Sequence, residues 1–267
     1  MENPYLRLHR EFRDAGAEVL ISSGQACVLF GIAAFSKDGD WIIREKERSC
    51  AAVLKVLGRH AAGYRLGAPL APDWLHLGLT SHFEFQTPGG FRMRVDFCSR
   101  PPRVPNVERM WKRAVRVEGA DVVDVESLVQ LKLTRRWRDY VMVGALAEVA
   151  GLECNAPDIA LKYLQDYELL SKAVRKWPAP AAKCSRNAVQ LLLAKVSRAK
   201  VVAAIAIEQD AMIQRDQRRV DALRKRMARY ARDFARLRLA WRRTGAVLSA
   251  QHRQLVAKAQ VLLRPTV

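Results

Sequence analysis

From about residue 186 to residue 262 the chain carries no proline and a single glycine, Gly245. A stretch that long without backbone breakers reads as helix. Within it Val220, Leu223, Met227, Tyr230, Phe234, Leu237 and Trp241 recur at alternating spacings of three and four, which is an a/d seam. Arginines flank the seam: Arg218, Arg219, Arg224, Arg226, Arg229, Arg232, Arg236 and Arg238. A helix of about 60 residues would be about 90 Å long, so the segment either folds back as a hairpin or projects. Gly245 is the place for the break. The seam predicts packing within the chain, or self-association through Leu223, Met227, Tyr230, Phe234, Leu237 and Trp241.

Charge follows the same division. The 267 residues have a net charge of +19, and residues 171–267 hold 23 Lys and Arg against 5 Asp and Glu. Residues 1–170 hold 23 against 22. A nearly neutral domain with a basic appendage points to a polyanionic partner, nucleic acid ahead of a membrane surface. No RNP1-like or Gly-x-x-Gly motif is present, so contact through phosphates is expected rather than base reading. No apolar run approaches the roughly 18–20 residues of a membrane span, and Met1-Glu2-Asn3-Pro4-Tyr5 lacks an export signal. Cys27, Cys50, Cys98, Cys154 and Cys184 are scattered and never spaced as C-x-x-C. Reduced thiols in a cytoplasmic protein fit this usage, and neither a disulfide framework nor a zinc site does.

The first part of the chain reads as mixed α/β. Helical spacing covers Leu6 to about Ala17, and a short strand follows over Glu18–Ile21. A buried helix is expected over Gly24–Ala34, a strand over Trp41–Ile43 and an amphipathic helix over Glu45–His60. Trp74–Leu79 and Ser81–Gln86 have strand composition, Pro88-Gly89-Gly90 marks a tight turn, and Phe91–Phe97 alternates as a half-buried strand. From Val122 onward the chain is expected to be helical, with Asp124 as an N-cap. Lys176–Ala181 is the clearest linker or hinge. The fold class expected is α+β, divided as a core over 1–120, a helical region over 121–177 and a basic long-helix extension over 178–267.

Chemistry gathers in the core. Asp38 and Asp40 are one residue apart and would face the same side of a strand, with Asp96 on a later one. Three hard carboxylates suit Mg²⁺ or Mn²⁺ holding a triphosphate. Asp38-Gly39-Asp40 alone also reads as a solvated turn. The pair follows the small-residue turn Ile21-Ser22-Ser23-Gly24 and precedes Val95-Asp96-Phe97. This order resembles the nucleotidyltransferase superfamily related to DNA polymerase β. The helix Asp124–Asp139, with Lys132, the basic pair Arg135-Arg136 and Asp139, resembles a motif of AbiEii-like abortive-infection nucleotidyltransferases.

The resemblance covers about residues 18–145 and implies a function. Asp38, Asp40 and Asp96 would hold the metal, and Ser22, Ser23 and Gly24 would meet the phosphates of an NTP. Lys132 and Asp139 would complete the nucleotide site. Arg135, Arg136, Arg218, Arg219, Arg224 and Arg229 are expected to contact nucleic acid. The activity implied is transfer of NMP to RNA, including tRNA, or to protein, in a toxin–antitoxin setting with an antitoxin-like partner. Two positions depart from the family pattern: Ser23 replaces the first glycine of the turn, and Gly39 replaces an apolar residue between the acids. They favour the alternative, a degenerate member acting as a nucleic-acid or protein binding module.

Overall fold

The computed structural model describes residues 3–263. Helix α1 (Pro4–Asp14) starts where the Asn3 side chain accepts from the Tyr5 N–H and Pro4 presets the first turn. Strand β1 (Val19–Ser22) runs directly into α2 (Ser23–Leu29), and β2 (Gly39–Ile43) is followed by α3 (Glu47–Arg59). Next come β3 (Gly63–Gly67), α4 (Pro72–His76), β4 (Ser81–Gln86) and β5 (Arg92–Cys98). Helix α5 (Val107–Lys112), β6 (Val115–Val117) and β7 (Ala120–Val122) close this part. The rest is helical: α6 (Val125–Lys132), α7 (Asp139–Glu148), α8 (Pro157–Tyr163), α9 (Tyr167–Lys176), α10 (Pro178–Lys183), α11 (Asn187–Leu193), α12 (Arg198–Thr244) and α13 (Leu248–Leu262). A π-helical turn, Val149–Glu153, joins α7 to α8.

The chain is α+β, with seven strands in one mixed sheet ordered β3-β4-β5-β2-β1-β7-β6. Strands β2 and β5 are parallel, as are β1 and β7; the other neighbours are antiparallel. Alternation gives the sheet two unlike faces. One is apolar, where Trp41 stacks on Phe97 at 5.6 Å and Phe12 of α1 meets Trp41 edge-on at 5.4 Å. Val53, Val56 and Leu57 of α3 are also fully buried. The other face is polar over its middle strands.

Contacts divide the chain into two compact units, Met1–Val123 with Leu223–Val267, and Asp124–Ala222. In the first, the end of α12 and α13 form a helical hairpin around Gly245, whose φ of +64° suits glycine. Trp241 Nε1 donates to Gln254 at 2.7 Å, and Lys258 lies 3.6 Å from Asp233. Helix α13 packs on α3 and β3, and Gln251 accepts from the Tyr64 N–H at 2.9 Å. Helix α12 has 47 residues, about 70 Å. The break before it, at Ala194–Ser197, has no proline or glycine and turns on Lys195 at φ +55°.

Three expectations need correction. Trp74–Leu79 is not a strand: Pro72 begins a helix, Asp73 sits in its first turn, and Gly78 at φ +72° ends the segment. The helix expected over Gly24–Ala34 ends at Leu29. Lys176–Ala181 is a junction between α9 and α10 with Ala181 fully buried, because Pro178 starts a new helix. Asp124 does cap α6, accepting from the Ser127 N–H at 3.2 Å.

Candidate functional site

The polar sheet face is built by register. Ser22 on β1 pairs with Asp40 on β2, Asp40 with Asp96 on β5, and Asp96 with His82 on β4. Register partners leave the same side of a sheet, so these four side chains form one transverse row. Asp38, immediately before β2, belongs to the next row with Arg94, whose guanidinium is 3.8 Å from it. Glu84 pairs with Arg94 and extends that row onto β4.

Arg65, which the sequence alone does not single out, holds Asp96, and His82 lies beside it. Arg65 sits at the register irregularity between Tyr64 and Leu66, the kind of bulge that re-aims a side chain. Its Nη2 donates to both Asp96 oxygens, at 3.1 and 3.3 Å. His82 Nδ1 is 2.8 Å from Asp96 Oδ2, and its Nε2 is 2.7 Å from the Thr80 hydroxyl. Alternation along β4 places His82 and Glu84 on one face. Their alignment with Asp96 depends on non-local pairing that no local pattern reveals.

The acid pair starts at a tightly packed glycine. A Cβ on Gly39 would lie 2.5 Å from the Tyr5 ring and 2.6 Å from the Trp41 ring. Gly39 is thus the floor on which two aromatic rings of the apolar face rest, with Asp38 and Asp40 on either side. The Tyr5 hydroxyl donates to the Lys37 carbonyl at 2.7 Å, and Gln25 and Ser36 fix the loop behind it. Burial and then the charge of Asp38, with a smaller contribution from Asp40, push the Tyr5 hydroxyl up to about 12. Burial, Asp40 and Asp96 push the Cys98 thiol up to about 12, with Arg103 opposing. Glu84 moves the other way. Burial raises its carboxyl, but hydrogen bonds and charge from Arg92 and Arg238 together hold it below the ordinary value.

The turn joins β1 to α2 without an intervening loop. Ser22 is extended and its hydroxyl donates to the Asp40 carbonyl at 3.1 Å, tying the turn to the acid strand. Ser23 has φ +52°, the left-handed region that favours glycine. The backbone thus keeps a glycine-like conformation with a serine in it, a local strain of the kind that collects at functional sites. Gly24 admits no side chain, since a Cβ would lie 2.2 Å from the Ser36 hydroxyl.

No protein-family model and no curated protein matches the chain.

The carboxylates suit a hard divalent cation in donor type. Asp40 and Asp96 are register partners, and Asp38 Oδ1 is buried with no hydrogen-bond partner among the described residues. The cage is not assembled, however: among the described residues no group of three or more His, Cys, Asp or Glu is gathered for a metal ion. Arg65 occupies both oxygens of Asp96.

The other sequence-derived residues fall into both units. Lys132 and Asp139 lie in the second unit and are buried. Asp139 accepts from Thr134 and from Arg136 Nε at 2.9 Å, so it orients a neighbouring arginine. Arg135 is exposed, and its backbone N–H donates to Asp216, which also accepts from Arg219. Arg218 in the second unit and Arg224 and Arg229 in the first are exposed on α12. Within the first unit Tyr230, Phe234 and Trp241 of the seam are buried, with the Tyr230 hydroxyl donating to the Gly67 carbonyl at 3.0 Å. Arg238 donates to Glu84 at 2.7 Å, which brings the basic helix to the edge of the polar face. No helix among the described residues is long and apolar enough to cross a membrane.

Proposed function

We propose that the chain is a divalent-cation-dependent nucleotidyltransferase that moves NMP from an NTP to a polyanionic acceptor, with RNA favoured over protein. One observation carries this. The β1–α2 turn, the Asp38/Asp40 pair and Asp96 lie on three adjacent strands, with Ser22, Asp40 and Asp96 in a single row. Asp38, Asp40 and Asp96 are the residues that would hold Mg²⁺ or Mn²⁺. Such a cation neutralises the charge that develops on the triphosphate during transfer.

The chain's own groups divide the remaining work. The Ser22-Ser23-Gly24 turn would offer its backbone N–H groups to phosphate oxygens. Arg94 and Arg65 stand on the same face as the acids and supply fixed positive charge to the phosphates. His82 stands beside Asp96, with Nδ1 2.8 Å from Oδ2. Arg224, Arg229, Arg232 and Arg236 are exposed on the half of α12 whose Arg238 reaches Glu84, so an acceptor bound along that helix arrives beside the site. Phosphate contacts of this kind make binding salt-dependent.

A second function is favoured by a specific observation. Arg65 already pairs with both oxygens of Asp96, as expected of a binding module that has given up catalysis. The two differ in one result: transfer of label from an α-labelled NTP, abolished by substitution of Asp38 and Asp40.

A further inference from the structure

The second unit contains a cavity of about 770 Å³ bounded by α8, α10, the start of α11 and α12. Nothing in the nucleotidyl-transfer proposal uses it. Its chemistry is set by Arg186, whose side chain is only 8% exposed. Arg186 Nε donates to Glu208 Oε2 at 2.7 Å and Nη1 to the Leu161 carbonyl at 3.0 Å. Nη2 is buried with no partner among the described residues. A guanidinium has five donors in a rigid plane, and leaving one unmet in the interior is costly. Glu208 is not free to turn toward Nη2, because its other oxygen accepts from the Ala188 N–H at 2.9 Å.

The rest of the lining is basic and apolar. Lys162, Lys183 and Arg215 join Arg186, against Asp158 and Glu208 as the acids in the lining. That leaves two positive charges in excess. Leu161, Tyr163, Pro180 and Met212 supply an apolar wall, and the Lys162 ammonium lies 5.4 Å from the Tyr163 ring centroid. A cavity of a few hundred Å³ with an apolar wall and few convergent polar groups is the usual form of a small-molecule site.

We propose that this cavity binds a small organic phosphate, a phosphomonoester with an apolar or aromatic body. The two excess charges match a phosphate dianion better than a carboxylate. Arg186 Nη2, the end of the guanidinium left without a partner among the described residues, supplies a charged donor to one of the phosphate oxygens.

Phenyl phosphate is the probe, titrated calorimetrically into the full chain, with inorganic phosphate and benzoate as companions. Phenyl phosphate is expected to bind most tightly, inorganic phosphate more weakly for want of the apolar body, and benzoate least. Arg186→Met is expected to weaken phenyl phosphate by about tenfold or more, the loss of a charge-assisted pair. Because Arg186 also anchors Glu208, two further variants guard against a folding defect. Lys183→Ala at the exposed rim and Met212→Trp filling the cavity should each weaken binding several-fold in protein with an unchanged circular-dichroism spectrum. Arg59→Ala, which removes an exposed charge at the end of α3, should leave phenyl phosphate binding intact. No measurable binding to the folded chain, binding indifferent to Lys183→Ala and Met212→Trp, or binding lost in Arg59→Ala would each overturn the proposal.

Discussion

Asp40 and Asp96 are register partners on the parallel strands β2 and β5, so their carboxylates leave one face of the sheet a strand apart. Arg65 meanwhile grips both oxygens of Asp96. A guanidinium and a divalent cation compete for the same lone pairs, which gives Arg65 a measurable effect. Arg65→Met is expected to tighten Mn²⁺ binding several-fold, and Asp96→Asn to weaken it. Titration followed by electron paramagnetic resonance reads both. Unchanged Mn²⁺ affinity in both variants would remove Asp96 from the metal site.

Gly39 separates the two acids because the rings of Tyr5 and Trp41 lie where its side chain would be. Gly39→Ala forces those rings off a packed floor, and overpacking of this kind costs about 1–3 kcal/mol. Urea unfolding should show a lower midpoint with an unchanged slope. A wild-type midpoint would mean that the rings yield without cost.

His9 couples the sheet to pH. It is buried, Trp41 Nε1 lies 3.3 Å from its Nδ1, and the Asp121 N–H lies 3.2 Å from its Nε2. Burial, then the charges of Arg13 and Arg116, lower its ring to about 4 from an ordinary 6.5. The unfolded chain therefore binds the proton more readily than the native one. The contribution to stability is complete above about pH 6.5 and is lost as pH falls toward about 4, amounting to about 3 kcal/mol. Denaturation series at pH 7, 5.5 and 4 should show this slope in the wild type and a flatter one in His9→Gln. Equal slopes would mean that His9 does not titrate with folding.

Much of this fold is legible in the sequence, and the failures have particular causes. The seam from Tyr230 to Trp241 reads correctly as a packed stripe, because a helical period survives whatever partner covers it; here three of its aromatic residues are buried in the first unit. The break at Gly245 and the cap at Asp124 are equally local signals. Trp74–Leu79 misleads because its aromatic and aliphatic composition suits a strand, while Pro72 and Asp73 decide the outcome by starting a helix. Ser23 takes a left-handed backbone that favours glycine, which is visible only in its φ. Arg65 and His82 stay hidden for another reason. Their meeting with Asp96 requires the order β3-β4-β5 and a bulge, neither written in any local pattern.

The exposed arginines of α12 should behave as phosphate contacts rather than as base readers. Arg229→Ala, Arg232→Ala and Arg236→Ala are each expected to weaken binding of single-stranded RNA to a similar degree for unrelated sequences. Each should reduce the slope of log K against log salt by about one. Filter binding across a salt series checks this. Sequence-dependent losses with an unchanged slope would contradict it.

The most direct measurement of the central claim is nucleotidyl transfer itself. The full chain is incubated with each of the four α-labelled NTPs, Mg²⁺ or Mn²⁺, and total RNA or cell lysate, beside the Asp38→Ala/Asp40→Ala double variant. The expected result is label on an RNA or protein acceptor from at least one NTP, absent with the double variant. Label transfer that survives the double substitution, or no transfer with any NTP by protein that binds RNA normally, would contradict it.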